Sequence, residues 1–174
     1  GLAGHPTPDA LWADAARAAA ARVAAVVRAE GRLALVVPDR TRPLPLPFLL
    51  PPLLDELRAV GIGPGRVTIV PASGIHRPMS GPELAAWIGP VSAESGALLA
   101  PHDADAPAVL LGRTASGIPV AGHPAVARAD AVLALGRIVF HYLAGFGGGR
   151  KMLVPGVAAR RTILAVHGRC LSPP

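Results

Sequence analysis

The sequence has one cysteine, one lysine and six aromatic residues among its 174 residues. A single cysteine, Cys170, excludes an internal disulfide and fits a reducing compartment, so we expect a cytoplasmic protein. The scarcity of aromatics indicates a core of small aliphatic side chains. The longest apolar stretch, residues 10–27, is interrupted by three charged residues, so we expect no membrane span and no signal peptide.

Positive charge dominates, with a formal net charge of +6 at pH 7. Every basic residue except Lys151 is an arginine, and alanine, glycine and proline are abundant, which is typical of a genome-wide compositional bias. The arginines are scattered singly, and no set of stacking aromatics lies among them. We therefore expect a solvated basic surface and no nucleic-acid partner.

Helix-like and strand-like segments alternate along the chain. Gly31 is expected to end the first helix, and Ser80 and Glu83 have the spacing of a capping box. The segments are helices over residues 10–31, 45–61, 80–89 and 158–169, strands over 32–38, 66–72 and 129–136, and a hairpin over 107–122. This order predicts an α/β, Rossmann-like fold, with a mostly parallel sheet and helices on both faces.

The length fits one domain, residues 1–174, with its own core. The chain begins at Gly1 without a methionine and stops directly after a helical pattern. We expect a fragment of a longer protein.

Polar clusters follow three of the strand-like segments. They are "DRTRP" from Asp39, "SGIHRP" from Ser73, and "GRIVFHYLAGFGGGRK", which ends at Lys151. In open α/β sheets, ligands bind at the carboxyl ends of the strands. One rim should therefore gather Asp39, Arg42, His76, His141 and Lys151, with both histidines facing one cavity.

Three glycines, Gly147, Gly148 and Gly149, precede the only lysine. Their backbone N–H groups could form an anion cradle, although the loop matches neither a Walker A loop nor G-x-G-x-x-G. Arg150 gives Lys151 a neighbour of like charge, which favours the neutral, nucleophilic amine. The alternatives are a flexible turn and a solvated surface lysine.

For the arginine and histidine side chains of these clusters, both a functional and a structural role are compatible with the sequence. Arg42 could hold a carboxylate or phosphate, or pair with Asp39 to stabilise its loop. His76, His141 and His167 could transfer protons or bind a metal, or be hydrogen-bonded structural residues. His5 and His123 precede prolines and are expected at the surface; the roles of His102 and Arg77 are left open.

Taken in order, "DRTRP", "GIHRP", "GRIVFHYLAGFGGGRKMLVPGVA" and "TILAVH" resemble the N-terminal domain of the nickel-pincer lactate racemase (LarA-like) family. The resemblance runs from about residue 32 to residue 167. It implies an isomerase that racemises or epimerises a 2-hydroxy acid. It also implies a second, C-terminal domain that closes over the cofactor and is absent from this sequence.

The cofactor implied by the resemblance is nickel(II) pyridinium-3,5-bisthiocarboxylic acid mononucleotide. Lys151 would carry it as a thioamide, and His167 would ligate the nickel. His76 and His141 would be the two proton-transferring residues. The remaining assignments are cofactor contacts for Asp39, Arg40, Thr41, Gly147, Gly148 and Gly149, and a substrate contact for Arg42.

The glycine loop departs from the family pattern at two positions, because Gly147 replaces a serine and Arg150 a small residue. The identity of the 2-hydroxy acid is therefore open. Two other functions are compatible with the residues: a nucleotide- or phosphate-binding module without chemistry, and a truncated, inactive homologue.

Overall fold

The computed structural model describes residues 7–142 and 144–171, and it confirms the α/β architecture. The helices are α1 (Pro8–Ala24), α2 (Leu46–Ala59), α3 (Gly81–Ile88), α4 (Val91–Glu94), α5 (Pro124–Ala127) and α6 (Arg160–Leu171). The strands are β1 (Leu33–Pro38), β2 (Val67–Ala72), β3 (Leu98–Leu99), β4 (Val109–Arg113), β5 (Pro119–Gly122), β6 (Ala131–Ala134), β7 (Phe140–His141) and β8 (Gly145–Phe146). Short 3-10 helices cover Pro64–Arg66 and Gly149–Met152.

Four strands form one parallel sheet in the order β3–β2–β1–β6. The central strand β1 is buried along its whole length, as expected for a strand with packed layers on both faces. Since β1, β2 and β6 are parallel neighbours, their carboxyl ends lie at the same edge of the sheet. The loops predicted to form one rim therefore do begin from one edge.

Apolar packing covers both faces of the sheet. Leu33, Leu35 and Val37 of β1 belong to the large cluster that includes the buried faces of α1, α2 and α3. Val36 belongs to the opposite cluster, with Met152 from the second 3-10 helix and side chains of α5 packed against it. The alternation along β1 distributes its side chains between two layers.

The first helix is shorter than the sequence predicts, because α1 ends at Ala24 and not at Gly31. The guanidinium of Arg66 donates hydrogen bonds to the carbonyls of Arg28 and Gly31, 2.8 and 2.7 Å away. The Arg28 carbonyl also accepts from the N–H of Gly31 at 2.8 Å, so residues 28–31 form a turn, which Arg66 holds in place of a further helical turn. The capping box of α3 is present as predicted, with Ser80 and Glu83 bonded reciprocally.

Two antiparallel hairpins stand outside the sheet. The predicted hairpin over 107–122 is β4 paired with β5. A second hairpin, β7 with β8, was not predicted; it carries His141 and exposes the rings of Phe140 and Phe146. Within residues 7–142 and 144–171, no helix is long and apolar enough to cross a bilayer.

Candidate active site

A cavity of about 450 Å³ lies at the edge of the sheet where β1, β2 and β6 end. It brings together most of the residues singled out in the sequence: Thr41, Arg42, His76, His141, Gly147, Gly148, Lys151 and His167. The two histidines predicted to face one cavity therefore do so. Among the described lining residues none carries a carboxylate, so the cavity is cationic and suits an anionic ligand.

Asp39 follows β1 directly and is not among the residues that line this cavity. Its side chain is 2% exposed, and its oxygens are occupied by neighbouring protein groups. Thr41 donates to Oδ1 through its hydroxyl at 2.7 Å and its backbone N–H at 3.3 Å, while His76 Nδ1 lies 2.8 Å from Oδ2. The cofactor contact expected of Asp39 stays a prediction, and in this structure the carboxylate contacts other site residues.

Arg42 combines the two roles considered in the sequence. Its guanidinium donates to Asp39 Oδ1 at 3.5 Å, which is long for a hydrogen bond, and its side chain is 46% exposed. It also lines the cavity and lowers the pKa of both Lys151 and His141, so its charge lies close to both. The loop-stabilising pair is present but weak, and the guanidinium remains available to an anion.

Arg40, an expected cofactor contact, is not among the residues that line the cavity. It pairs with Glu83 of α3 at 3.6 Å, and Arg77 binds the same carboxylate bidentately at 2.5 and 3.2 Å. Hydrogen bonds from Arg77, and then from Ser80, lower the pKa of Glu83 to about 2. Glu83 thus ties the loop after β1 to the loop after β2, which gives Arg77 and Arg40 a structural role.

Only part of the glycine loop lines the cavity. Gly147 and Gly148 line the cavity, whereas Gly149 does not. The N–H of Gly147 donates to the carbonyl of Val139 at 2.7 Å, so it is not available to a cradle of consecutive N–H groups. Gly148 has φ +73°, and a Cβ there would lie 3.0 Å from the Arg137 carbonyl, so the close approach requires glycine.

Lys151 is half-buried in the cavity, in the short 3-10 helix that follows the glycine loop. Burial lowers the pKa of its amine, and the charge of Arg42 lowers it further. The sequence named Arg150 as the like-charged neighbour; that is wrong, since Arg150 is exposed and the effective charge comes from Arg42. Both effects favour the neutral amine, which is the nucleophilic form.

The hairpin places His141 beside the other cationic groups of the cavity. Desolvation lowers the pKa of His141, with smaller contributions from Lys151, Arg42 and His167. Its Nδ1 accepts a hydrogen bond from the N–H of Ala144 at 3.3 Å. His167, half-buried on α6, lines the same cavity as Lys151.

Two histidines lie together elsewhere. His102 is 1% exposed, and neither ring nitrogen has a hydrogen-bond partner among the described atoms. His123, expected at the surface, is partly buried, and its ring centroid is 5.9 Å from that of His102. Its Nδ1 accepts from the N–H of Ala125 and caps α5. His5 lies outside the described residues.

The sequence did not single out several other lining residues. Ser73 is 1% exposed, and its hydroxyl has no partner among the described atoms. Gly156 joins two loops, because its N–H donates to the carbonyl of Lys151 at 3.1 Å and its carbonyl accepts from Gly74 at 2.8 Å. The quoted motifs "SGIHRP" and "MLVPG" contain both residues, but only tertiary packing shows what they contact.

The side chains that line the cavity fit a cofactor that supplies most of the ligands of its own metal ion. In the part of the chain that the structure describes, no group of three or more His, Cys, Asp or Glu side chains could hold a metal ion. The cavity nevertheless offers an amine of lowered pKa, Lys151, and three imidazoles, of which His167 is the one that the family resemblance assigns to the metal. An anionic nucleotide attached at the amine, with its own donors around the metal, matches this set.

Comparison with known proteins gives matches over most of the chain. A lactate racemase of Lactiplantibacillus plantarum is 35% identical over 144 residues, 82% of this chain and 34% of the relative. A lactate racemase of Thermoanaerobacterium thermosaccharolyticum is 36% identical over 143 residues, 80% of this chain and 33% of the relative. The chain thus spans about a third of the length of the curated relatives it matches.

Solved structures share the fold. The lactate racemase apoprotein of T. thermosaccharolyticum matches with a TM-score of 0.69 and 30% identity, over 87% of this chain and 39% of that one. A protein from Thermotoga maritima matches with a TM-score of 0.74 over 98% of this chain and 43% of that one; at 21% identity this shows the fold alone. Residues 15–174 match the family described as lactate racemase N-terminal domain. The chain therefore belongs to the lactate racemase N-terminal domain family.

Proposed function

We propose that this chain is the cofactor-binding domain of a 2-hydroxyacid racemase or epimerase of the lactate racemase type. The observation that carries the proposal is the position of Lys151. The only lysine in the sequence has an amine of lowered pKa, in a cationic cavity that also holds His76, His141 and His167. The curated relatives are lactate racemases, which supports the reaction class.

The proposed cofactor is the nickel-pincer nucleotide, held by Lys151 Nζ as a thioamide and by the His167 ring at nickel. When bound, it supplies a hydride acceptor, so the reaction avoids a carbanion beside the substrate carboxylate. Gly147 and Gly148 line the cavity where the nucleotide would lie, and both pack closely against residues 137–139.

The chain's own side chains would orient the substrate and exchange its hydroxyl proton. Arg42 would hold the carboxylate of the 2-hydroxy acid through its guanidinium. Racemisation needs a proton acceptor for each of two substrate orientations, which two histidines on one cavity provide. We assign these positions to His76 and His141, and place the protein in the cytoplasm.

The experiment is co-expression of the 174-residue chain with the enzymes that make the cofactor, followed by intact-mass analysis. An adduct on the wild-type chain that is absent from Lys151→Arg supports the proposal, because arginine keeps the charge but cannot form the thioamide. A double variant, Lys151→Arg with Arg150→Lys, is the matched control, since it moves the amine by one position. An adduct retained by Lys151→Arg would contradict the tether.

Activity requires a second assay, because this chain spans only about a third of the length of the curated relatives. We expect the loaded chain alone to racemise lactate very slowly, since half of the site would be open to water. Adding the remaining domain of a full-length relative should restore turnover, measured by chiral chromatography, and Lys151→Arg should abolish it. Nucleotide or phosphate binding that survives Lys151→Arg, without any adduct, would favour the non-catalytic binding module.

A further inference from the structure

The loop after β1 contains a buried carboxylate that the proposed reaction does not use. Asp39 is 2% exposed, yet it lies one layer behind the cavity and contacts His76, a residue that lines it. The distance from Asp39 Oδ2 to His76 Nδ1 is 2.8 Å, which is a short contact for a nitrogen donor and an oxygen acceptor.

Hydrogen-bond chemistry decides which nitrogen of His76 carries the proton. An ionised carboxylate only accepts, so His76 Nδ1 must donate to Asp39. The Thr41 hydroxyl lies 3.4 Å from the same nitrogen, but its single proton is directed to Asp39 Oδ1, only 2.7 Å away. For an ionised carboxylate and a neutral imidazole, no other arrangement of these protons satisfies both short contacts.

We propose that Asp39 is a positioning residue that holds His76 as the Nδ1–H tautomer and leaves its Nε2 as the proton-accepting atom of the site. Thr41 holds the carboxylate in place, because its hydroxyl and its backbone N–H both donate hydrogen bonds to Asp39 Oδ1. The inference rests on the proposed function only where it makes His76 a proton acceptor. The tautomer itself follows from the contacts.

The hydrogen bond at Nδ1 of His141 has the opposite direction to the one at Nδ1 of His76. Its Nδ1 accepts from the N–H of Ala144, so the neutral ring carries its proton on Nε2. The two histidines of one cavity therefore begin with different proton arrangements, because Nδ1 donates in His76 and accepts in His141. A substrate hydroxyl directed at His76 finds an acceptor without prior rearrangement.

The test is long-range 1H–15N correlation spectroscopy of the 15N-labelled 174-residue chain, at a pH where the imidazoles are neutral. We expect the Nδ1–H form of His76 in the wild type. In Asp39→Ala the ratio of Nδ1–H to Nε2–H should fall by roughly tenfold or more, since a charge-assisted hydrogen bond is lost. His141 should be unchanged, and so should His76 in the control Asp14→Asn, which alters an exposed carboxylate on α1.

If Asp39→Ala does not fold, Thr41 gives a milder pair of variants. Thr41→Val removes the hydroxyl at nearly constant shape and should lower the same ratio, whereas Thr41→Ser should keep it. A wild-type His76 with its proton on Nε2, or a ratio that is unchanged in Asp39→Ala, would overturn the inference.

The complemented, cofactor-loaded enzyme supplies the kinetic readout. Asp39→Asn should lower kcat by about ten- to a hundred-fold with little change in KM, because substrate binding is intact while the acceptor is misoriented. An undiminished kcat would overturn the positioning role. The Lys151 adduct is independent of these contacts, so its absence would refute the proposed function while leaving the tautomer result unaffected.

Discussion

His102 should make the protein less stable as the pH falls below neutrality. Burial, and then the neighbouring His123, lower the pKa of His102 to about 4, and Asp103 offsets only part of this shift. The Ala158 backbone also favours the charged ring, although its geometry falls short of a hydrogen bond. Protonating His102 in the folded state thus places a charge in a site without a partner.

The size of the effect follows from the two pKa values. The unfolded chain binds a proton at His102 below pH 6.5, whereas the folded chain does so only below about pH 4. Between these values the unfolded state holds more protons, so stability is complete above pH 6.5 and falls as the pH is lowered through this window. The loss attributable to His102 is roughly 2 kcal/mol between pH 6.5 and pH 5.

Urea denaturation at neutral pH and at pH 5 measures this loss. With an m-value of about 2 kcal/mol/M, the midpoint of the wild type should fall by about 1 M. His102→Leu removes the titrating ring without breaking a hydrogen bond, so it should be near wild type at neutral pH and lose much less stability at pH 5. Because His123 titrates in the same direction, the difference between the two proteins is the quantity to compare.

Equal losses in the wild type and in His102→Leu would refute the reasoning, because the acid sensitivity would then come from other groups. Near-ultraviolet circular dichroism on both proteins controls for repacking around the new leucine. Carboxylates with lowered pKa values act at more acidic pH, which is why the comparison stops at pH 5.

Two further predictions concern the loops that form the site. Gly156→Ala should lower the free energy of unfolding in urea by about 3 kcal/mol or more, because its Cβ would meet the Met152 carbonyl oxygen at a distance shorter than van der Waals contact. Gly63→Ala, with open space around it, should change stability by less than about 1 kcal/mol, and equal effects would contradict the steric account. Glu83→Gln should flatten the acid limb of the stability profile, which is the fall of the unfolding free energy at acidic pH. The Arg77 pair holds the pKa of Glu83 at about 2, so the contribution of this carboxylate to stability is lost as the pH falls from 4.5 toward 2. An unchanged acid limb would show that this exposed pair adds nothing measurable.

The sequence by itself determined the sheet and the rim. Continuous apolar runs predicted β1 and β2, because a central parallel strand is buried on both faces. The capping box predicted the start of α3, because it needs only residues within one helical turn. The shared edge of parallel strands then placed His76, His141 and Lys151 at one cavity.

Tertiary structure alone decided which groups touch within that rim. The charge beside Lys151 comes from Arg42, far away in sequence, and not from the adjacent Arg150. The carboxylate of Asp39 binds His76, although 37 positions separate the two residues. Periodicity and spacing report local geometry, whereas these contacts depend on how the loops of separate strands pack against each other.

The same limit explains the end of α1 and the orientation of Arg40. Arg66 holds residues 28–31 in a turn through the carbonyls of Arg28 and Gly31, and Glu83 pairs with Arg40, which does not line the cavity. Both partners come from elements that follow later in the chain. The identities of the reactive side chains can thus be read from the local sequence. Their protonation states, partners and orientations are set by long-range packing, because the charge nearest in space is not the charge nearest in sequence.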